Sequence, residues 1–327
     1  MPTPPKVRVS RLHHPSLPDS EIWVLRDDEY QGLWGTKARK YQSMIQHCRA
    51  SGITHIAATG GINSNNLAAA ALLCKEAGLH VRAFAVKDHG DENAPKSGNR
   101  LLTRLALGAD DLVLIDRADR GNITAMMESY AASLAAKGIK AIILEEGAGC
   151  LAAVPGAMTL AEELIAPRPE WPDERLCDHV FIDSGTALTS AALAAGLARL
   201  PDSRRPKLHV IQMAGFDEQL QNAFARWVTP VTSVTYDDVV SFTRVYRPLK
   251  PKSYGATSAE LFAFIQDMAR NHGILTDPVY SAKLFMRAFD LIKGQNLKGR
   301  IVIIHTGGMT GLMGYSHLAD RSRATEI

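Results

Sequence analysis

Short β-branched and apolar runs alternate along this chain with longer stretches rich in Ala and Leu, and that alternation constrains the fold more than any other feature. Runs at 21–25, 55–58, 81–86, 112–115, 141–144, 179–182, 208–213 and 301–304 read as strands. Stretches at 40–50, 65–76, 100–106, 123–136, 157–164, 188–200, 258–271 and 281–293 read as helices, with Ser258 and Glu260 at the start of one of them. The strands are continuous apolar runs, as expected when both faces of a sheet are covered. The pattern is therefore that of βαβ units building a parallel sheet. At 327 residues the chain exceeds what one hydrophobic core usually organises, so two domains are expected. The proline-containing stretches 166–174 and 245–256 read as a loop or domain junction and as the border of a site.

Several classes of function are disfavoured by composition. The formal charge is +3 with Lys and Arg scattered, which argues against nucleic acid as a partner. No apolar run approaches the ~20 residues that span a bilayer, and the Pro-rich start lacks a secretory core, so a cytoplasmic protein without a membrane partner is expected. Cys48, Cys74, Cys150 and Cys177 are widely spaced, make no metal-type pair and suggest no disulfide framework. None of the eleven histidines has a metal-type spacing; His305 reads as a strand-end residue.

Three strands run directly into polar, glycine-rich turns: Gly60-Gly61-Ile62-Asn63-Ser64-Asn65-Asn66, Asp183-Ser184-Gly185-Thr186-Ala187-Leu188-Thr189 and His305-Thr306-Gly307-Gly308. Ligands of parallel sheets bind beyond the carboxyl ends of the strands, so the three turns point to one polar or anionic ligand. The second turn opens an Ala/Leu-rich helix and reads either as a phosphate site or as a tight N-capped turn. It is neither a Walker loop nor a three-glycine dinucleotide turn. In the first turn, three asparagines and a serine exceed what one helix cap requires, so some are expected to face a ligand. Lys37, Arg39 and Lys40 crowd a helix start, where their charge opposes the helix dipole and calls for a compensating anion.

In order along the chain, Arg26-Asp27-Asp28, Gly35-Thr36-Lys37-Ala38-Arg39-Lys40, Gly60 to Asn66, Gly98-Asn99-Arg100-Leu101-Leu102, Tyr254-Gly255, Asp277-Pro278-Val279-Tyr280-Ser281-Ala282-Lys283 and His305-Thr306-Gly307-Gly308 resemble the blocks of the 1-aminocyclopropane-1-carboxylate deaminase/D-cysteine desulfhydrase family. The resemblance implies a two-domain, three-layer α/β parallel-sheet fold of the tryptophan synthase β-like class, fold type II among pyridoxal 5′-phosphate enzymes. It implies a larger domain of 1–40 and 156–327, and a smaller inserted one of 41–155. It implies Lys37 as the Schiff-base lysine and Lys40 as a phosphate contact. Asn65 would bond the 3′-oxygen, and Gly185, Thr186, Ala187, Leu188 and Thr189 would hold the phosphate. Ser64 would lie beside the substrate Cα as proton acceptor or carboxylate contact, with Tyr280 facing the substrate. Ser281 or Thr306 would meet the pyridine nitrogen. A homodimer is also implied.

Within the resemblance, Ser281 stands where the deaminases carry a glutamate. A neutral hydroxyl there suggests an unprotonated ring and prompt loss of a β-leaving group. The expected activity is thus β-elimination from a small amino acid, D-cysteine desulfhydrase-like, releasing pyruvate and ammonia. β-Replacement and cyclopropane ring opening are the alternatives, with a nucleotide-binding α/β protein lacking this chemistry a distant one. Thr36, Asn63, Asn66 and the Gly147-Ala148-Gly149-Cys150 turn depart from the family pattern on the substrate side, and Cys150 either borders the substrate or simply packs in its turn.

Overall fold

The computed structural model describes residues 7–88, 97–171, 176–249 and 254–319. Parts of the two proline-containing stretches, with Pro172 and Pro251, lie outside the described residues. Among the described residues ten strands occur: β1 Val9–Leu12, β2 Glu21–Leu25, β3 His55–Gly61, β4 His80–Val86, β5 Leu112–Ile115, β6 Ala141–Leu144, β7 His179–Ser184, β8 Lys207–Gln212, β9 Thr243–Tyr246 and β10 Arg300–Ile304. The helices are α1 Thr36–Ser51, α2 Asn65–Glu76, α3 Gly98–Ala106, α4 Ile123–Ala135, α5 Val154–Ile165, α6 Leu188–Ala198, α7 Gln219–Ala223, α8 Thr229–Thr232, α9 Ala259–His272, α10 Ser281–Gly294 and α11 Met309–Leu312.

The described residues fall into two compact units. One takes in the residues up to Thr36, Ala157–Met309 and those from Ser316 onward. Its sheet has the order β1-β2-β10-β7-β8-β9. Every pairing is parallel except that of β1 with β2. On one face Ile22, Val24, Phe181, Ile211, Ile301 and Ile303 pack with Met268 of α9 and Leu284, Phe285, Ala288 and Ile292 of α10. α6 also packs on β7, and its Gly196 lets α5 approach until an added Cβ would lie 2.4 Å from that of Ala161. The second unit holds 37–156 and 310–315, with the all-parallel order β5-β4-β3-β6. α4 covers Ala57, Phe84, Val86 and Ile115 through Ile123 and Met127.

The sequence pattern does not announce β1 and β9, four-residue edge strands in which adjacent polar residues, Ser10 and Arg11 in one and Thr243 and Arg244 in the other, break the apolar run. Nor does it announce the helical run of α7 and α8, joined by a π-helical turn at Phe224–Val228. The helix expected from Lys40 begins at Thr36 instead, because Gly35, at φ +55°, turns the chain so that the Thr36 N–H donates to Thr306 O at 3.0 Å. α5 begins three residues early, with Pro155 in its first turn, where no intrahelical N–H is needed.

At the amino ends of β7 and β8, His179 Nδ1 and His209 Nε2 share a proton across 3.0 Å. Both rings are buried, and His209 stacks on Phe181 at 4.3 Å. Burial, then the neighbouring His179, Lys207 and Arg244, lowers His209 from 6.5 to about 4. The unfolded chain therefore binds the extra proton first as pH falls. The stability contributed by the neutral ring is complete above pH 6.5 and is lost as pH drops towards 4, by about 3 kcal/mol. Urea midpoints taken from pH 7 to pH 4 will fall more steeply for the native protein than for His209→Phe; equal slopes would refute this.

Candidate active site

In the first unit, the segments leaving the adjacent strands β7 and β10 and the start of α10 are tied together by specific contacts. The turn before α6 has its carbonyl oxygens drawn inward. Gly185 O accepts from Gln212 Nε2 at 2.7 Å, Thr186 O from Gln219 Nε2 at 3.4 Å, and Ala187 O from Ser190 Oγ and Ala191 N–H. The N–H groups of Gly185 to Thr189 meet no acceptor among the described residues. With the α6 dipole behind them, they form an anion cradle. The Ala187 and Leu188 side chains are buried, so those residues offer only backbone to a ligand. Ala187 sits at φ +65°, a conformation that costs an L-residue about 1 kcal/mol.

Tyr280 lies over this turn, where a Cβ on Gly185 would come within 3.2 Å of its ring and hydroxyl. Its hydroxyl is 3.0 Å from that of Tyr254. Burial, then the adjoining Tyr254 and the charges of Asp183 and Asp277, pushes the Tyr280 phenol well above its ordinary range, so it holds its proton. Asp277 accepts from the N–H groups of Val279, Tyr280 and Ser281, and Ser281 Oγ donates to it at 2.8 Å. The same Ser281 oxygen accepts the Asp277 N–H at 2.7 Å and is fully buried. Gly308, at φ +101°, passes so close that a Cβ would lie 2.5 Å from Asp277 Oδ1. Thr306 Oγ1 donates to Asp183 Oδ1 at 2.6 Å. The buried His305 ring braces this turn, its Nε2 2.7 Å from Leu275 O. Gln212, Asp183, Asp277 and His305 are thus parts of the arrangement that the sequence motifs did not assign a role.

In the second unit, the Gly60–Asn66 turn leaves β3 and the turn with Gly147 leaves β6, its neighbour. Each polar residue of the first turn has a partner. Ser64 Oγ caps α2 by accepting the Asn66 N–H at 3.0 Å, Asn63 reaches Asp88, and Asn66 Oδ1 accepts from Tyr41 at 3.1 Å. Asn65 Oδ1 accepts from Asn99 Nδ2 at 2.7 Å, and Asn99 Oδ1 in turn accepts from Thr310 Oγ1 at 2.5 Å. That chain fixes the Asn65 amide so that its Nδ2 remains the donor. Lys37 is half-buried in the first turn of α1. The buried Lys40 ammonium donates to Gly147 O. Burial raises the Cys150 thiol to about 11, against the pull of the Ala153 and Ala152 N–H groups and Lys40, so it is a packed, protonated thiol and not a nucleophile. No cluster of His, Cys, Asp and Glu able to hold a metal ion occurs among the described residues.

Residues 2–307 match the family model of the pyridoxal-phosphate dependent enzymes. The chain belongs to that family. It is 30% identical over 301 residues to the D-cysteine desulfhydrase of Yersinia pestis (strain Pestoides F), covering 90% of this chain and 88% of the relative. It is 29% identical over 317 residues to the 1-aminocyclopropane-1-carboxylate deaminase of Rhizobium radiobacter, covering 91% and 90%. The fold matches a crystal structure of an ACC deaminase homologue with a TM-score of 0.80, at 21% identity and over 96% and 93% of the two chains. Residues of this pyridoxal-phosphate dependent enzyme fit the cofactor's phosphate: the 185–189 turn presents N–H groups that meet no acceptor among the described residues. No helix among the described residues is long and apolar enough to cross a membrane.

Gly35 sets the approach to Lys37, because a Cβ there would lie 2.2 Å from Thr306 O on a backbone already at φ +55°. Gly35→Ala will lower stability by about 2–4 kcal/mol, measured as a shift of the urea midpoint. A loss below 1 kcal/mol would show that the contact yields freely.

Proposed function

We propose that this enzyme eliminates a β-leaving group from a small amino acid such as D-cysteine, releasing pyruvate and ammonia. The 30% identity to a D-cysteine desulfhydrase supports the reaction, and the observation that supports the cofactor is the 185–189 turn, whose carbonyls are bonded inward while its N–H groups are left for an anion. When bound, pyridoxal phosphate supplies an electron sink for the bonds that break at the substrate Cα. In this reading Gly185, Thr186, Ala187, Leu188 and Thr189 hold the phosphate, and Lys40 adds positive charge. Lys37 holds the cofactor covalently and moves the Cα proton. Asn65, turned by Asn99, donates Nδ2 to the 3′-oxygen, and Thr306 meets the ring nitrogen. Ser64 keeps its hydroxyl proton while accepting the Asn66 N–H, which supports contact with the substrate carboxylate over proton abstraction. Tyr280, held protonated beside Tyr254, offers a hydrogen bond to the leaving group.

Ring opening of 1-aminocyclopropane-1-carboxylate is a second reading, favoured by the 29% identity to the Rhizobium enzyme. A homodimer in the cytoplasm is part of the proposal. The reducing compartment is supported by four free, buried thiols, and the homodimer rests on family resemblance.

Two measurements test this. Lys37→Ala will lose the visible absorbance of the cofactor-loaded protein, whereas Lys40→Ala will keep the band and bind cofactor about tenfold more weakly, as one lost charge-assisted hydrogen bond implies. The native enzyme will form pyruvate from D-cysteine or a β-chloro amino acid without an added nucleophile. A requirement for a second nucleophile would favour replacement, and turnover of the cyclopropane alone would favour the second reading.

A further inference from the structure

We propose that Asp183 takes up the Thr306 hydroxyl proton in a hydrogen bond and leaves only an acceptor lone pair towards the cofactor, so that the ring nitrogen binds there in its protonated form. This rests on the reading above, in which Thr306 meets that nitrogen. A hydroxyl has one proton and two acceptor lone pairs. The Thr306 proton is committed to Oδ1 of Asp183 across 2.6 Å, a short, charge-assisted contact in which the carboxylate can only accept. Whatever approaches the remaining side of that oxygen must therefore donate. An unprotonated pyridine nitrogen has only a lone pair to present and would face another lone pair. A protonated one carries the N–H that the site requires. The Asp183 carboxylate, itself 9% exposed, acts in the same direction, because a nearby negative charge favours the cationic ring.

Ser281 does not compete for this contact. Its hydroxyl donates to Asp277 Oδ1, accepts the Asp277 N–H and is fully buried, so it serves to fix the start of α10. The Thr306 hydroxyl has one bond and its residue is partly exposed. The negative charge that Ser281 does not bring to the ring nitrogen is thus supplied one hydrogen bond further away, through Thr306. This alters the consequence drawn from the neutral residue at 281. The ring remains a strong electron sink, so the choice between elimination and ring opening falls to the groups around the substrate. Asp183 is a positioning residue, acting through Thr306.

The test uses holoenzyme reconstituted with cofactor carrying ¹⁵N at the ring nitrogen. Its ¹⁵N chemical shift is read in the native protein, in Asp183→Asn and in Thr306→Val. The native resonance is expected in the protonated range. In Asp183→Asn the new amide can donate to the Thr306 oxygen and turn the hydroxyl proton towards the ring, moving the resonance to the unprotonated range. Thr306→Val removes the acceptor and moves it the same way. If Asp183→Asn does not fold, the native and Thr306→Val spectra decide. A native resonance in the unprotonated range overturns the inference while leaving cofactor binding intact, as does a protonated resonance unchanged in both variants. A protein that takes up no labelled cofactor overturns the underlying functional reading as well.

Discussion

Thr306 ties together the segments on which the rest of the first unit's edge depends. Its carbonyl accepts the Thr36 N–H, at the residue before Lys37, and its hydroxyl donates to Asp183 at the end of β7. Of the two glycines that follow, Gly307 packs against Gly35, and Gly308 passes so close to Asp277 that no Cβ would fit. His305, buried immediately before it, holds the turn to Leu275. Helix α1 therefore starts where Thr306 allows it to start, and the charged residues of its first turns follow from that position. A threonine at the end of a central strand thereby couples the entry to the proposed covalent lysine with the turn proposed to hold the phosphate.

The same economy appears at the turns proposed to meet the cofactor. Around 185–189 the carbonyls are bonded by Gln212, Gln219 and Ser190, so the N–H groups are what remains. Around Asp277 the first N–H groups of α10 converge on one carboxylate, which keeps them from solvent and sets Tyr280 above Gly185. Around Asn65 a relay from Thr310 through Asn99 decides which end of an amide is offered. In each case a residue away from the reacting atoms determines whether a donor or an acceptor is presented. Such orientation is worth more to catalysis than an additional contact, because charge development then needs no reorganisation.

Much of the architecture was legible in the sequence. The eight strands expected from apolar runs are present to within a residue or two at most ends, since burial on both faces leaves runs that are mostly apolar. Edge strands β1 and β9 are paired on one side only, and their polar residues mask them. The three glycine-rich turns were legible as turns at strand ends because strand ends and helix starts are marked by composition. What they do with their protons was not. Asp183 and Asp277 lie in motifs that gave them no role, and only the folded geometry shows that each takes the proton of a hydroxyl. The protein partners of the three asparagines in the 63–66 turn were equally invisible in the sequence.

Lys37 is proposed to carry pyridoxal phosphate in an enzyme of β-elimination chemistry. Borohydride reduction of the cofactor-loaded protein, followed by peptide mass mapping, tests it most directly. The phosphopyridoxyl group is predicted on the peptide containing Lys37, with fragmentation placing it on that residue. Its recovery on Lys40, or on the buried Lys283, would contradict the account.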